Sequence, residues 1–147
     1  MSNFSKIKAA LHVADKLAEF ELYELDEDPR PVLILKPAGI ENRDFFNAAL
    51  RSGAALPRGK KPTEQEQIES GIKEMRDLWP RHVIYSWRGV KNDRGDALPY
   101  TEELGRELLE ALTVDVLLRM KAFAQDMANF RGAGEPAPMD AGAVAGN

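Results

Sequence analysis

The sequence predicts an α+β domain that is mainly helical, with one small β-hairpin and a flexible C-terminal tail. Apolar residues recur at helical spacing in several segments before residue 130, and they alternate with period two in residues 19–25. After Phe130 the composition changes to small residues and prolines, with too little apolar mass to offset the entropy of ordering. We therefore expect a single globular domain at residues 1–130 and a Gly/Ala/Pro-rich tail at residues 131–147.

The N-terminal segment predicts a short amphipathic helix over residues 4–17. Its apolar stripe contains Phe4, Ile7, Leu11, Ala14 and Leu17. His12 lies next to this stripe, and we interpret it as a boundary residue rather than a ligand or a base.

Residues 19–37 predict the β-hairpin. EFELYEL alternates with period two, DEDPR is a polar turn with a proline, and PVLILKP is a continuous apolar run. An isolated hairpin is only marginally stable in water, so we expect its apolar face to pack on helices or on another strand.

Polar residues at capping positions predict where the later helices begin. Asn42 can accept a backbone N–H of the first turn, and Thr63 with Glu66 has the spacing of a capping box. Thr101 and Thr113 predict two further starts, and the last helix is expected to reach about Phe130.

The helix that begins at Thr63 has an apolar stripe ending at Trp79, and Pro80 cannot continue it without a lost hydrogen bond or a kink. Residues 82–88, HVIYSWR, are compatible with a short strand or with a resumed helical turn. Periodicity over seven residues does not separate the two, and we favour a helix.

Composition and motifs contain no reaction centre. The chain has no cysteine and only two histidines, His12 and His82, neither of which lies in a nucleophile motif. The acidic run at residues 26–28 is interpreted as a solvated turn, and no phosphate-binding glycine motif is present. We therefore expect a protein that is not an enzyme and that uses no cofactor and no metal.

Charge and hydropathy limit the partners and the location. The formal net charge is −4, and the densest basic stretch, residues 58–61, is interpreted as a solvated loop rather than a nucleic-acid contact. The N-terminus lacks the apolar core of a secretory signal, and no stretch approaches the roughly 20 apolar residues of a membrane span. These patterns favour the cytoplasm, without nucleic acid or membrane as a partner.

Residues 87–104, WRGVKNDRGDALPYTEEL, allow several interpretations: a ligand loop, an adhesion tripeptide, a metal loop or a structural turn. A calcium loop beginning at Asp93 would need an oxygen ligand at its third position and a glutamate at its twelfth. Those positions hold Gly95 and Leu104. A three-residue Arg-Gly-Asp match is common by chance, so we favour a turn in which Gly95 adopts a conformation that other residues resist.

Two blocks resemble a known family. They are RPVLILKPAGIENRDFFNAALR (Arg30 to Arg51) and VIYSWRGVKNDRGDALPYTEELGRELLEAL (Val83 to Leu112), the second followed by a helix that ends in MKAFAQDMANF. Their pattern is similar to that of tail assembly chaperones and related small tail-region proteins of long-tailed bacteriophages. The resemblance implies a non-enzymatic protein of the host cytoplasm that binds the tape-measure protein and recruits tail-tube subunits. A structural tail-completion or connector protein of the virion is the alternative.

Aromatic residues concentrated between positions 80 and 100 are the candidates for partner binding. We select Tyr85, Trp87 and Tyr100, because aromatic side chains are enriched in protein interfaces. For Trp87 and Tyr100, packing into the core is the competing interpretation. The sequence leaves the oligomeric state open, including a homo-oligomer.

Overall fold

A computed structural model of the protein describes residues 2–52 and 61–131. In chain order the elements are α1 (Phe4–Leu11), β1 (Ala18–Glu21), β2 (Val32–Leu35), α2 (Arg43–Ser52), α3 (Glu64–His82), β3 (Ile84–Arg88), α4 (Glu102–Ala111), α5 (Val114–Gln125) and α6 (Ala128–Arg131). The predicted α+β class, mainly helical with a small sheet, is confirmed. Nearly all of the predicted tail and most of the basic stretch at residues 58–61 lie outside the described residues.

The three strands form one antiparallel sheet in the order β1-β2-β3. The predicted hairpin is confirmed, since β1 pairs with β2 so that Phe20 lies opposite Leu33. On its other side β2 pairs with β3, where Leu33 lies opposite Trp87. The continuous apolar run of β2 suits this central position, because its two neighbours and the helices shield it from water.

The preference for a helix at residues 82–88 was wrong, because most of this segment forms β3. Ser86 lies opposite Ile34 and Ile84 lies opposite Leu35, so the register shifts and Tyr85 is left without a residue opposite. Such a bulge lets residues three positions apart face the same side of a sheet. Ile84 and Trp87 are both buried for this reason, and their spacing imitates the period of a helix.

The core lies between one face of the sheet and the helices α3 and α5. Helix α3 is the most connected element, because it contacts α2, α4, α5 and β3. It continues through Pro80 to His82, beyond the point where proline removes an N–H donor from the helix. The largest fully buried side chains include Phe20, Leu22, Leu33, Leu35, Met75, Trp79, Leu109, Leu117 and Met120.

Three of the four predicted helix starts have the expected capping bond. Thr63 and Glu66 form a capping box, with N···O distances of 2.8 and 3.1 Å. Thr101 Oγ1 accepts the N–H of Leu104 at 3.1 Å. At the fourth start, the Thr113 hydroxyl donates to the carboxylate of Asp115 instead of accepting a backbone N–H.

Asn42 caps α2 and also joins three parts of the chain. Its Oδ1 accepts the N–H of Phe45 at 3.2 Å, as a helix cap should. Its Nδ2 donates to the carbonyl of Pro37 at 3.0 Å and to that of His82 at 2.8 Å. The buried amide therefore connects the end of β2, the start of α2 and the end of α3.

The first and the last predicted helices are both shorter in the structure than the sequence predicted. Helix α1 stops at Leu11, six residues before the predicted end, and none of its residues is buried. The predicted last helix is divided into α5 and α6 at Asp126, whose carboxylate accepts the N–H of Ala128 at 3.0 Å. Val13 follows α1 and packs with Ala18 and Phe130, so the N-terminal segment is anchored on α6.

Candidate functional site

Two of the three predicted partner-binding residues, Trp87 and Tyr100, lie against each other. Their rings meet edge to face, with centroids 4.8 Å apart. The indole N–H of Trp87 donates to the carbonyl of Leu98 at 2.7 Å, and only 7% of the residue is exposed. The two rings therefore connect β3 to the segment that leads into α4.

The hydroxyl of Tyr100 donates to the carbonyl of Pro80 near the end of α3. Burial, with a smaller contribution from the negative charge of Glu102, raises the pKa of Tyr100 to about 12. A Cβ at Gly105 of α4 would lie 2.5 Å from the Tyr100 hydroxyl, so only glycine allows the ring to approach the helix backbone this closely. We call Pro80, Trp87, Leu98, Tyr100 and Gly105 the aromatic joint.

The Arg-Gly-Asp segment lies at the tip of a turn, as predicted. Gly95 has a φ of 85°, in the left-handed region that favours glycine. The side-chain oxygen of Asn92 accepts the N–H groups of Arg94 at 2.9 Å and Asp96 at 3.0 Å. Lys91 and Ala97 pair across the base of the turn. This network of neighbouring residues holds the turn in shape.

Tyr85, the third predicted residue, faces away from the core and is 57% exposed. Its ring lies below the ammonium of Lys36, with 5.9 Å between Nζ and the ring centroid. A cleft of about 470 Å³ begins beside this ring. Its other walls come from the segment after α1, the end of β2 and the start of α2, and include Ala14, Leu17, Lys36, Glu41, Arg43 and Asp44. Tyr85 thus lies apart from the pair formed by Trp87 and Tyr100.

The two histidines lie in different surroundings. His12 is exposed just after α1, whereas His82 is half-buried at the end of α3. Burial, assisted by the positive charge of Arg81, lowers the pKa of His82 below its ordinary value. Within residues 2–52 and 61–131, no group of three or more His, Cys, Asp or Glu side chains is placed to hold a metal ion.

The guanidinium of Arg119 joins distant parts of the chain, and it was not among the predicted site residues. The guanidinium carbon of Arg119 lies 4.2 Å from the ring centroid of Phe20 and 3.9 Å from that of Tyr23. The same group donates to Glu24 at 2.6 and 2.9 Å, and this bond lowers the pKa of that carboxyl. The partners are 95 residues apart, so no local pattern announces the contact.

The apolar side of α1 stays exposed, which its spacing alone did not predict. Phe4, Ile7 and Leu11, which we call the α1 stripe, are exposed by 74, 44 and 50%. Their spacing of three and four residues places them on one side of the helix. Within the described part of the chain, this side has no covering partner.

Comparison with known families places the chain. A family model described as YdaY prophage protein matches residues 40–136, about two thirds of the chain. The chain belongs to the YdaY prophage protein family. It is therefore phage-derived, as the resemblance predicted. The family match does not indicate a role in tail assembly. Searches of curated proteins and of solved structures found no match.

The YdaY match divides the candidate surfaces. It begins at Ile40, so it contains the aromatic joint and Tyr85 but not α1, β1 or β2.

In the described residues, no helix has the length and apolar character needed to cross a bilayer.

Proposed function

We propose that this YdaY-family protein is a tail assembly chaperone of a long-tailed phage. It binds the tape-measure protein and recruits tail-tube subunits in the host cytoplasm, without catalysing a reaction. The phage-derived family supports this proposal, as does the resemblance of the two blocks, most of which lie within the matched residues 40–136.

The observation that carries the proposal is the exposed ring of Tyr85 on an edge strand of the sheet. A bulge directs this ring outward, and the buried neighbour Trp87 holds the strand beneath it. Rigid aromatic side chains give large contact areas at a low entropy cost, and they are enriched in protein interfaces. In this proposal Tyr85 contacts the partner, while Trp87 and Tyr100 position its strand through the aromatic joint.

Co-expression with the tape-measure protein of the same prophage tests the function. We expect the wild-type chain to move the tape-measure protein from the insoluble to the soluble fraction, and Tyr85→Ala to reduce that shift. A tape-measure protein that is equally insoluble with and without the wild-type chain contradicts the proposal.

Tyr23→Ala is the matched control for Tyr85→Ala. Both residues are 57% exposed, but Tyr23 lies between β1 and β2, outside the residues matched by the family. The thermal unfolding of each variant is measured in parallel, since Tyr23 also contacts Arg119. An equal loss of tape-measure solubility in two equally stable variants would show that Tyr85 is not a specific contact.

A structural tail-completion or connector protein is the second candidate. The exposed α1 stripe favours it, because permanent assemblies have more apolar interfaces than transient complexes. Mass spectrometry of purified phage particles separates the two functions. A chaperone is missing from the particle, whereas a structural subunit is present at a fixed copy number.

The non-enzymatic part of the proposal has its own test. Replacing both histidines, as His12→Ala with His82→Ala, is expected to leave the phage yield unchanged. A large fall in yield, with a variant that unfolds at the wild-type temperature, would favour histidine chemistry instead.

A further inference from the structure

Helix α1 lacks the contacts that a helix of its length needs. It has eight residues, and none of them is buried. Isolated helices shorter than about 12 residues are marginal in water, so a partner that covers the apolar side would stabilise α1. The charged side chains of the helix, Lys6 and Lys8, are both positive.

A groove with complementary properties lies elsewhere on the molecule. It has a volume of about 560 Å³ and runs between the β1–β2 loop, the loop after β3 and the end of α4. Its apolar walls include Leu25, Val90, Leu108 and Leu112. Its charged lining residues are three carboxylates and one ammonium, those of Glu27, Asp28, Asp93 and Lys91. We call this the loop groove.

The α1 stripe and the loop groove lie toward opposite ends of β1. Val13 fixes the segment after α1 near Ala18, where β1 begins. The groove starts at Leu22, just beyond the last residue of β1. Four extended residues separate these points by about 13 Å. This placement suits a contact between two copies, in which one contributes its helix and the other its groove.

We propose that α1 of one copy docks in the loop groove of a second copy. The α1 stripe then covers the apolar walls, and the ammonium group of Lys8, which borders the stripe, meets the carboxylates of the rim. Pairing of α1 with a second α1 would instead bring like charges together, which opposes association. The proposed contact uses different surfaces on the two copies, so it either closes into a ring, the smallest being two copies that exchange their α1 helices, or continues into a filament. It is independent of the tape-measure protein.

Light scattering of the purified full chain over a range of concentrations tests the association. We expect a dimer or a larger species for the wild type. Ile7→Glu in the α1 stripe or Leu25→Glu in the groove buries an unpaired carboxylate, so each weakens association by about 100-fold or more. Val114→Glu is the matched control, because Val114 is similarly exposed at the start of α5 and belongs to neither surface. It should assemble as the wild type does.

Mixing the two defective variants gives the sharpest result. Ile7→Glu retains an intact groove and Leu25→Glu retains an intact α1, so together they should form a 1:1 dimer that cannot extend. A mixture that stays monomeric, or a wild type that is monomeric at every concentration, overturns the proposal. Both measurements are made without the tape-measure protein, so their outcome is separate from that of the chaperone test.

Crosslinking identifies the occupant of the groove. A zero-length reagent that joins amines to carboxylates should connect Lys8 of one copy with Glu27, Asp28 or Asp93 of another. Isotope labelling of half the protein separates links between copies from links within one copy. Links from α1 predominantly to residues 132–147, or only within one chain, contradict the proposal.

Discussion

The aromatic joint and the α1 stripe use similar side chains with opposite outcomes. Trp87 and Tyr100 meet each other edge to face, and each also donates a hydrogen bond to a backbone carbonyl. Phe4, by contrast, is the most exposed of the large apolar residues in the described part of the chain. In the aromatic joint the rings contact each other, backbone carbonyls and helix α4. The α1 stripe, by contrast, faces outward.

The contrast shows that periodicity and packing carry separate information. Apolar spacing indicates which side of an element is apolar, but it does not indicate what covers that side. The aromatic joint is packed because β3, the following loop and α4 all return to the end of α3. Helix α1 precedes the first strand and contributes none of the buried residues. Four predictions test whether the two regions differ energetically as much as they differ geometrically.

Removing the indole at the centre of the joint should have the largest effect. Trp87→Ala leaves a cavity against Tyr100 and an unpaired carbonyl at Leu98, so we expect a loss of about 3–5 kcal/mol in the free energy of unfolding. Urea unfolding measures the loss. Tyr85→Ala, on the same strand but exposed, is the control and should cost less than about 1 kcal/mol. A similar cost for both substitutions would contradict the packed joint.

Adding one methyl group to the joint should also destabilise the protein. In a helix, Gly→Ala ordinarily stabilises by about 1 kcal/mol. At Gly105 the new Cβ meets the Tyr100 ring, so we expect a loss of about 1–3 kcal/mol from overpacking. Gly71→Ala is the matched control, because the Cβ there meets only the flexible end of Lys121 at 3.3 Å. Equal stabilisation by both substitutions would show that the Tyr100 ring is not in close contact with α4 at Gly105.

Alkaline pH should weaken the joint through Tyr100. Its pKa rises from 10.0 to about 12 on folding, so between these values the unfolded chain has lost the proton while the folded chain retains it. Stability should therefore fall as pH rises from 10 towards 12. Tyr100→Phe removes this dependence and, near neutral pH, costs about 1 kcal/mol for the lost hydrogen bond to Pro80. Urea unfolding of both proteins should show their difference shrinking above pH 10, and a constant difference would contradict the prediction.

The parts of the fold that the sequence predicted well depend on neighbouring residues. Asn42, Thr63 and Thr101 each accept an N–H from three residues ahead, so the capping pattern contains both partners. The turn at Gly95 is equally local, because Asn92 supplies its hydrogen bonds. In each case the deciding contact is visible within five residues of sequence.

The parts that the sequence did not predict depend on distant contacts. The bulge at Tyr85 arises from pairing with β2, some fifty residues earlier, and it gave residues 82–88 the apolar spacing of a helix. The contact between Arg119 and Glu24 has no local signal either. For the candidate site, the sequence selected three aromatic residues but could not separate the exposed Tyr85 from the buried Trp87.

Substitutions in the α1 stripe should have the smallest effect on the isolated chain. Ile7→Ala and Leu11→Ala remove side chains without buried contacts, so at low protein concentration each should change the free energy of unfolding by less than about 0.5 kcal/mol. Val13→Ala, just beyond the helix, is the control. Val13 is fully buried, so its replacement should cost about 1–3 kcal/mol. If α1 docks on a second copy, raising the protein concentration should stabilise the wild type but not Ile7→Ala, because binding to the folded state raises its stability. Thermal unfolding over a range of protein concentrations measures the difference in stability between the two proteins. A large effect of Ile7→Ala at the lowest concentration would show that α1 packs on its own domain.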